Sequence, residues 1–398
     1  MQTQLPATVL ATASGRRADA ILRACVHCGF CNATCPTYLL TGDELDGPRG
    51  RIYLVKEMLE ADAPSIVARE HLDRCLTCRA CETTCPSGVA YGELAEIGRN
   101  FIEARVPRGV VDRVVRRWLV LVLSVPARLA FFARLARGVK WMLPDYLARA
   151  VPRIKPQVAV AVKNHSRRVI VLDGCAQRAT TPEVNAALAR VLDAADIKVV
   201  RASGEGCCGS LALHLGQEAR AHVAMRANVD ALYAAANGAE AIISTASGCG
   251  VTVKDYGRLL ADDPAYAERA RWISDHTSDA AEYLAGINAP LTKRNAATTV
   301  AWHPPCTLQH GQRVRGVVES LLQRAGYQLV PVADAHLCCG SAGTYSVLQP
   351  DLADALRLRK LAALTAAQPD VIVTANVGCQ LHLRDGTDVA VRHWLELV

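Results

Sequence analysis

The sixteen cysteines of this 398-residue chain constrain it more than any other feature, because they fall into four groups of four with none left over. Cys25, Cys28, Cys31 and Cys35 form a C-x2-C-x2-C-x3-C run followed by Pro36; Cys75, Cys78, Cys81 and Cys85 repeat it, followed by Pro86. The third group is Cys175, the vicinal pair Cys207-Cys208, and Cys249. The fourth is Cys306, the pair Cys338-Cys339, and Cys379. Matching members of the last two groups are 131, 131, 131 and 130 residues apart, so that part of the chain is a duplication. The N-terminus, MQTQLPATVLATASGRRADA, has no apolar run after Arg16-Arg17, and no signal peptide is expected. A cytoplasmic location follows as an expectation. In a reducing compartment closely spaced thiols are metal ligands or redox centres more often than disulfides.

The two N-terminal runs carry the sharpest chemistry. Short x2 spacings let one tight loop present three sulfurs to a [4Fe–4S] cluster, while the fourth cysteine of such a run ligates the other cluster. The rule assigns Cys25, Cys28, Cys31 and Cys85 to one cluster and Cys75, Cys78, Cys81 and Cys35 to a second. Zinc is the alternative, but its sites pair CxxC units across a longer gap and need four ligands rather than eight. His27, inside the first loop, reads as a surface or supporting residue. Between the runs, Leu54, Val55, Met58 and Leu59 fit a helical stripe, and residues 70–74 suggest another turn. Arg49, Arg51 and Lys56 are candidates to offset the negative charge of a cluster, with plain solvation the competing reading for each.

The later cysteines each stand just after an apolar, β-branched run: residues 167–175, 197–209 and 239–249, then 298–306, 327–340 and 369–379. Helical stretches at 182–195 and 313–325 alternate with them, which argues for a parallel α/β sheet in each copy. Ligand sites in such sheets form beyond the carboxyl ends of strands, so Cys175, Cys207, Cys208 and Cys249 can converge, as can Cys306, Cys338, Cys339 and Cys379. Iron–sulfur clusters are the favoured reading for both quartets, redox thiols the other. His303, His310 and His336 occur in the second copy only and read as satisfied or surface histidines. The fold class expected is α+β and multidomain. It comprises a helical two-cluster ferredoxin-like domain over residues 1–104, a basic amphipathic helical linker over 105–166, and cysteine-rich α/β repeats over 167–290 and 291–398.

The net charge of +7 is local. Residues 105–168 carry fifteen Lys and Arg against Asp112 and Asp145. Leu129, Phe132, Leu135 and Val139 recur there at helical intervals. Three readings stand: an interfacial helix on an anionic membrane surface, docking to an acidic partner, or an internal linker with a solvated basic face. No reader motif accompanies the charge, so nucleic acid is not an expected partner. The longest uncharged apolar stretch, residues 118–127, is too short to span a bilayer and contains Pro126.

With these motifs placed, the chain resembles the iron–sulfur subunits of bacterial glycolate oxidase (glycolate dehydrogenase). The residues carrying the resemblance are RACVHCGFCNATCPTYLLTGDELDGPRGRIYL, DRCLTCRACETTCPSGV, TASGCG, HLCCGSAGTY, VTANVGCQ and the terminal VRHWLELV. The later quartets also resemble the cysteine-rich domains of heterodisulfide reductase and anaerobic glycerol-3-phosphate dehydrogenase. The reductase has a CxxC as the last element, where this chain has Ala246 and Asn376 in place of the first cysteine. That departure leaves a cubane, a partial cluster or an empty site open there, and so one or two clusters beyond the two [4Fe–4S].

The resemblance implies an electron-transfer subunit with no catalytic residues of its own. A flavoprotein glycolate oxidase subunit would oxidise glycolate to glyoxylate and pass electrons through this chain to a quinone, the respiratory chain or another acceptor. Neither repeat carries a GxGxxG after its first strand, so no flavin or NAD is expected on this chain. Peripheral contact with the inner face of the cell membrane through residues 105–168 fits the same picture. The alternatives are a heterodisulfide-reductase-like catalytic subunit, or an electron carrier for lactate or glycerol-3-phosphate oxidation.

Overall fold

The computed structural model describes residues 1–144, 148, 151–156, 158 and 165–398. Parts of the expected basic linker, at 145–147, 149–150, 157 and 159–164, lie outside them. Helices dominate the N-terminal part. Pro48–Glu60 buries Leu54, Val55, Met58 and Leu59 on one side. It packs with Ile66–Asp73 and Tyr91–Arg105 around a core that includes Leu22, Leu72 and Leu94. Cys25, Cys75 and Cys81 belong to that same core, so both cysteine loops are anchored from within.

Each repeat forms a four-stranded, all-parallel sheet. The first has order β2-β1-β3-β4, from β1 (Arg167–Val171), β2 (Ile197–Val200), β3 (Ile242–Ser244) and β4 (Thr277–Asp279). The second repeats it as β6-β5-β7-β8, from β5 (Thr299–His303), β6 (Gln328–Val330), β7 (Val371–Thr374) and β8 (Ala390–His393). The alternating pleat explains how the two join. Val169 and Val171 of β1, Val300 and Trp302 of β5, and Val371 and Val373 of β7 fill one shared core. Ile170 and Ile242 face a second core on the far side of the first sheet, and Ala301 and Ile372 a third beyond the other. The repeats are thus pressed face to face, closed by Trp394, Leu395 and Leu397 at the C-terminus.

Two details differ from the sequence reading. Helix 182–195 is present as Pro182–Ala194, but its counterpart begins at Val317, not 313. Arg313 and Gly316 there are left-handed, with φ of 60° and 74°, which no helix accommodates. Each sheet also has a fourth strand, β4 or β8, that the apolar runs did not reveal.

Of the two residues standing where a further cysteine was missed, Asn376 has a structural use. Asn376 caps the helix Val377–Arg384 by accepting from the Gly378 N–H at 2.8 Å. Its amide donates across the repeat boundary to Ser247 Oγ (3.1 Å) and, within its own repeat, to Thr307 Oγ1 (3.3 Å). Ser247 N–H also donates to the Ala375 carbonyl at 3.1 Å. Asn376→Ala is expected to lower stability by about 1–2 kcal/mol, measured as a shift of the urea midpoint with unchanged iron content.

Candidate metal centres

The two ferredoxin-like loops share a backbone. His27 and Gly29 in the first, and Thr77 and Arg79 at the matching positions of the second, all have left-handed φ between 53° and 85°. His27 is exposed at such a turn, as a surface residue. Burial pushes the Cys31 thiol up to about 11, and the neighbouring thiols of Cys25, Cys28 and Cys85 add to the rise. Burial raises Cys81 well above the ordinary thiol range, with Cys78, Cys75, Glu82 and Cys35 adding to it. Each set of neighbours therefore includes one thiol from the opposite run.

Arg51 is 1% exposed beneath the second group. It donates to the His71 carbonyl (2.7 Å) and Thr37 Oγ1 (3.1 Å), and its Nη1 lies 4.0 Å from Cys35 Sγ. Buried Asp46 balances it, at 3.4 Å, and also meets His71 Nδ1 (2.8 Å) and Arg74 (3.2 Å). Arg99 is a residue the sequence reading missed. It grips the second loop through Thr77 Oγ1 and the carbonyls of Leu72 and Cys75, each at 2.8 Å. Burial opposes ionisation of Cys75, yet the Arg51 and Arg99 charges, with the Tyr91 hydroxyl 3.4 Å away, bring its thiol below the usual range. Of the other cations considered, half-buried Arg49 pairs with Glu44 and has Cys31 among its neighbours. Lys56 pairs with Glu60 at 2.7 Å. Thiols so crowded and buried ionise together only against a bound metal cation, and the donors around them suit an anionic cluster.

The later quartets follow the carboxyl ends of β1, β2 and β3, and of β5, β6 and β7, and the strand order reverses between β1 and β3 and between β5 and β7. Crevices at that point are the general ligand site of open parallel sheets. Cys175 Sγ lies 3.6 Å from Cys207 Sγ, and Cys306 Sγ 3.8 Å from Cys338 Sγ. Gly209 and Gly340 follow the vicinal pairs with φ of 88° and 91°. A Cβ at Gly340 would come within 2.7 Å of the Ala353 carbonyl oxygen, so only glycine permits that approach.

The surroundings of the two quartets differ. The first lies beneath a helical hairpin, Val110–Leu123 and Pro126–Gly138. Ser124 at its bend is among the groups acting on the Cys207 thiol, and Val120 enters the core around Cys208. The second abuts the ferredoxin-like part: Cys78, Cys306 and Cys338 pack in one cluster with Leu76, Tyr345 and Leu356. Tyr345 Oη donates to the Arg74 carbonyl (2.9 Å), and Thr83 Oγ1 meets His310 Nδ1 (2.8 Å). Burial raises Cys78 well above the ordinary thiol range, followed by the influence of Cys306, Cys35 and Cys75. His310 is satisfied, its Nε2 bonded to the His336 carbonyl (2.9 Å), and His336 is half-buried. His303 is neither at the surface nor satisfied.

The linker stripe does not form one buried face. Leu129 is buried with Ala133, whereas Leu135 and Val139 point outward. Among the described residues no single helix is long and apolar enough to cross a membrane; the hairpin passes only as a pair, bent by 113°.

With this geometry in place, comparison with known proteins is direct. Residues 21–89 match the 4Fe-4S dicluster domain family, and residues 169–254 and 300–384 match the cysteine-rich domain family. Fold and matches together define an iron–sulfur subunit of an oxidoreductase, with an electron-transfer role. The chain is 48% identical to the glycolate oxidase iron-sulfur subunit of Escherichia coli (strain K12), covering 100% of this chain and 98% of that one. It is 29% identical to the probable glycolate oxidase iron-sulfur subunit of Bacillus subtilis (strain 168), over 92% of this chain and 88% of that one. Lactate utilization protein A of Bacillus licheniformis is 26% identical over 54% of this chain. The chain belongs to the family of glycolate oxidase iron–sulfur subunits.

Removing the buried cation tests the charge argument. Arg51→Met is expected to destabilise the protein by about 3 kcal/mol, because it leaves Asp46 buried with less compensation. Lys56→Met should stay within about 0.5 kcal/mol. Denaturant unfolding of the two variants checks both.

Proposed function

We propose that this chain carries electrons from a flavoprotein subunit that oxidises glycolate to glyoxylate, and delivers them to a membrane acceptor such as a quinone. In this reading Cys25, Cys28, Cys31 and Cys85 hold one [4Fe–4S] cluster and Cys75, Cys78, Cys81 and Cys35 the other. Cys175, Cys207, Cys208 and Cys249, and Cys306, Cys338, Cys339 and Cys379, hold further iron. The flavin belongs to the partner. Each cluster, when bound, takes up and releases electrons without breaking a covalent bond.

The observation that carries the reading is the different exposure of the two ferredoxin-like loops. Cys28 is exposed, flanked by Val26 (67% exposed) and Phe30 (62%), with Tyr53 beside them. An apolar rim around an exposed ligand loop suits a protein partner that excludes water from the electron's entry point. The second loop faces inward, where Cys78 packs in one cluster with Cys306 and Cys338. Entry at the first loop and onward passage from the second into the second repeat follows from that contact.

Membrane contact draws support from the hairpin. Its outer side exposes Val111, Trp118, Leu121, Phe131 and Leu135 together with Arg113, Arg117, Arg128, Arg134 and Arg137. Apolar side chains interleaved with arginines suit an interfacial helix on anionic lipid at the cytoplasmic face. The linker reading accounts for the paired residues only: Arg108 binds Asp73 and Asp112, and Arg116 binds the same two acids.

Two measurements test the proposal. Glycolate added to the anaerobic complex should bleach the iron–sulfur absorbance, and Phe30→Glu should slow that step at least about tenfold without loss of iron. A complex whose iron stays oxidised would overturn the electron-transfer reading. Vesicles of phosphatidylglycerol and phosphatidylcholine should sediment the intact protein in a salt-dependent way. A Phe131→Glu, Leu135→Glu double variant should remain in the supernatant; equal sedimentation of both would remove the hairpin as the anchor.

A further inference from the structure

His303 is the last residue of β5, three positions before Cys306. It is 1% exposed, and neither ring nitrogen has a hydrogen-bond partner. Buried polar groups are almost always paired, so an imidazole left with two orphaned nitrogens points to a partner of another kind. Nearby histidines do not share this state: His310, His382 and His393 each bond a backbone carbonyl. A ring nitrogen of His303 and the sulfurs of Cys339 and Cys379 all lie within 4.8 Å of one another, and all three residues are buried. The matching residue of the first repeat, three before Cys175, is Leu172, which packs into an apolar core with Cys208. At one backbone position the first copy thus places a hydrocarbon beside its thiols, and the second a nitrogen donor.

We propose that His303 is a fifth protein ligand of the second quartet, binding iron of a cluster held with Cys306, Cys338, Cys339 and Cys379, and that the first quartet has no such ligand. The inference rests on the reading that the second quartet contains iron. A neutral imidazole as the fifth ligand leaves the cluster less negative than a fifth thiolate would, and so at a higher reduction potential than that alternative. Buried Lys360, near Cys338, Cys339 and Cys379, acts in the same direction. The second repeat therefore becomes the place where electrons from the adjoining Cys78 loop come to rest.

The test is pulsed EPR on the full-length anaerobic protein labelled with 15N-histidine, in oxidised and reduced states, with iron analysis and a redox titration. The expected result is a directly coordinated histidine nitrogen that vanishes in His303→Leu, the residue of the first copy. Of the resolved redox couples, only one should shift, and in His303→Cys, where a thiolate replaces the neutral ring, it should move to lower potential. His303→Cys, which restores a ligand, should lose the nitrogen signal while keeping the iron. No histidine coupling in either state, a coupling unchanged by the substitutions, or zinc in place of iron would overturn the assignment. About eight irons per chain, with glycolate reduction intact, would overturn it through the vacant quartet while leaving the electron-transfer reading standing.

Discussion

Gathering thiolates in a protein interior is unfavourable unless positive charge is buried with them, and the rest of this architecture depends on how that is met. Arg51 and Arg99 lie inside the N-terminal core, each fixed by backbone carbonyls, and both act on Cys75. Asp46 holds Arg51 from the other side, so the cation is positioned without being left uncompensated. The long segment between the two cysteine runs is therefore more than a spacer. It supplies Asp46, Arg51, His71 and Arg74, a network that binds the Cys35 region to the helix preceding Cys75.

Duplication set two identical sheets against one another, and their surroundings made them unlike. Both bring four cysteines to the reversal point of a parallel sheet, and both need glycine after the vicinal pair. The first quartet is covered by the basic hairpin; the second is covered by the ferredoxin-like loop around Cys78. Packing of Cys78 against the second repeat also sets the two ferredoxin-like loops apart: the first lies at an exposed apolar rim around Phe30, the second faces inward.

Much of the fold was legible because its signals are local. Spacing of x2, x2 and x3 predicts the loop geometry, and β-branched runs before each cysteine predict three strands per repeat. β4 was not legible: Thr277–Asp279 is three residues long with no apolar side chain, and it is a strand only because β3 offers it a free edge. The late start of helix Val317–Arg324 was hidden because left-handed Arg313 carries no composition signal. Arg99 was equally invisible, since its function is to reach carbonyls more than twenty residues away.

By itself the sequence determined the number and grouping of the cysteines, the duplication, the parallel α/β class and the family. These depend on spacing and on residue type, which are properties of the chain. Only the tertiary structure decided which quartet touches the second ferredoxin-like loop, what covers the other, and that His303 is buried without a partner. Those are distances between residues tens to hundreds of positions apart, set by how two sheets and a helical domain close upon each other. Asn376 shows the difference plainly. The sequence marks it as a cysteine that is missing, whereas the fold makes it a helix cap and a bond between repeats.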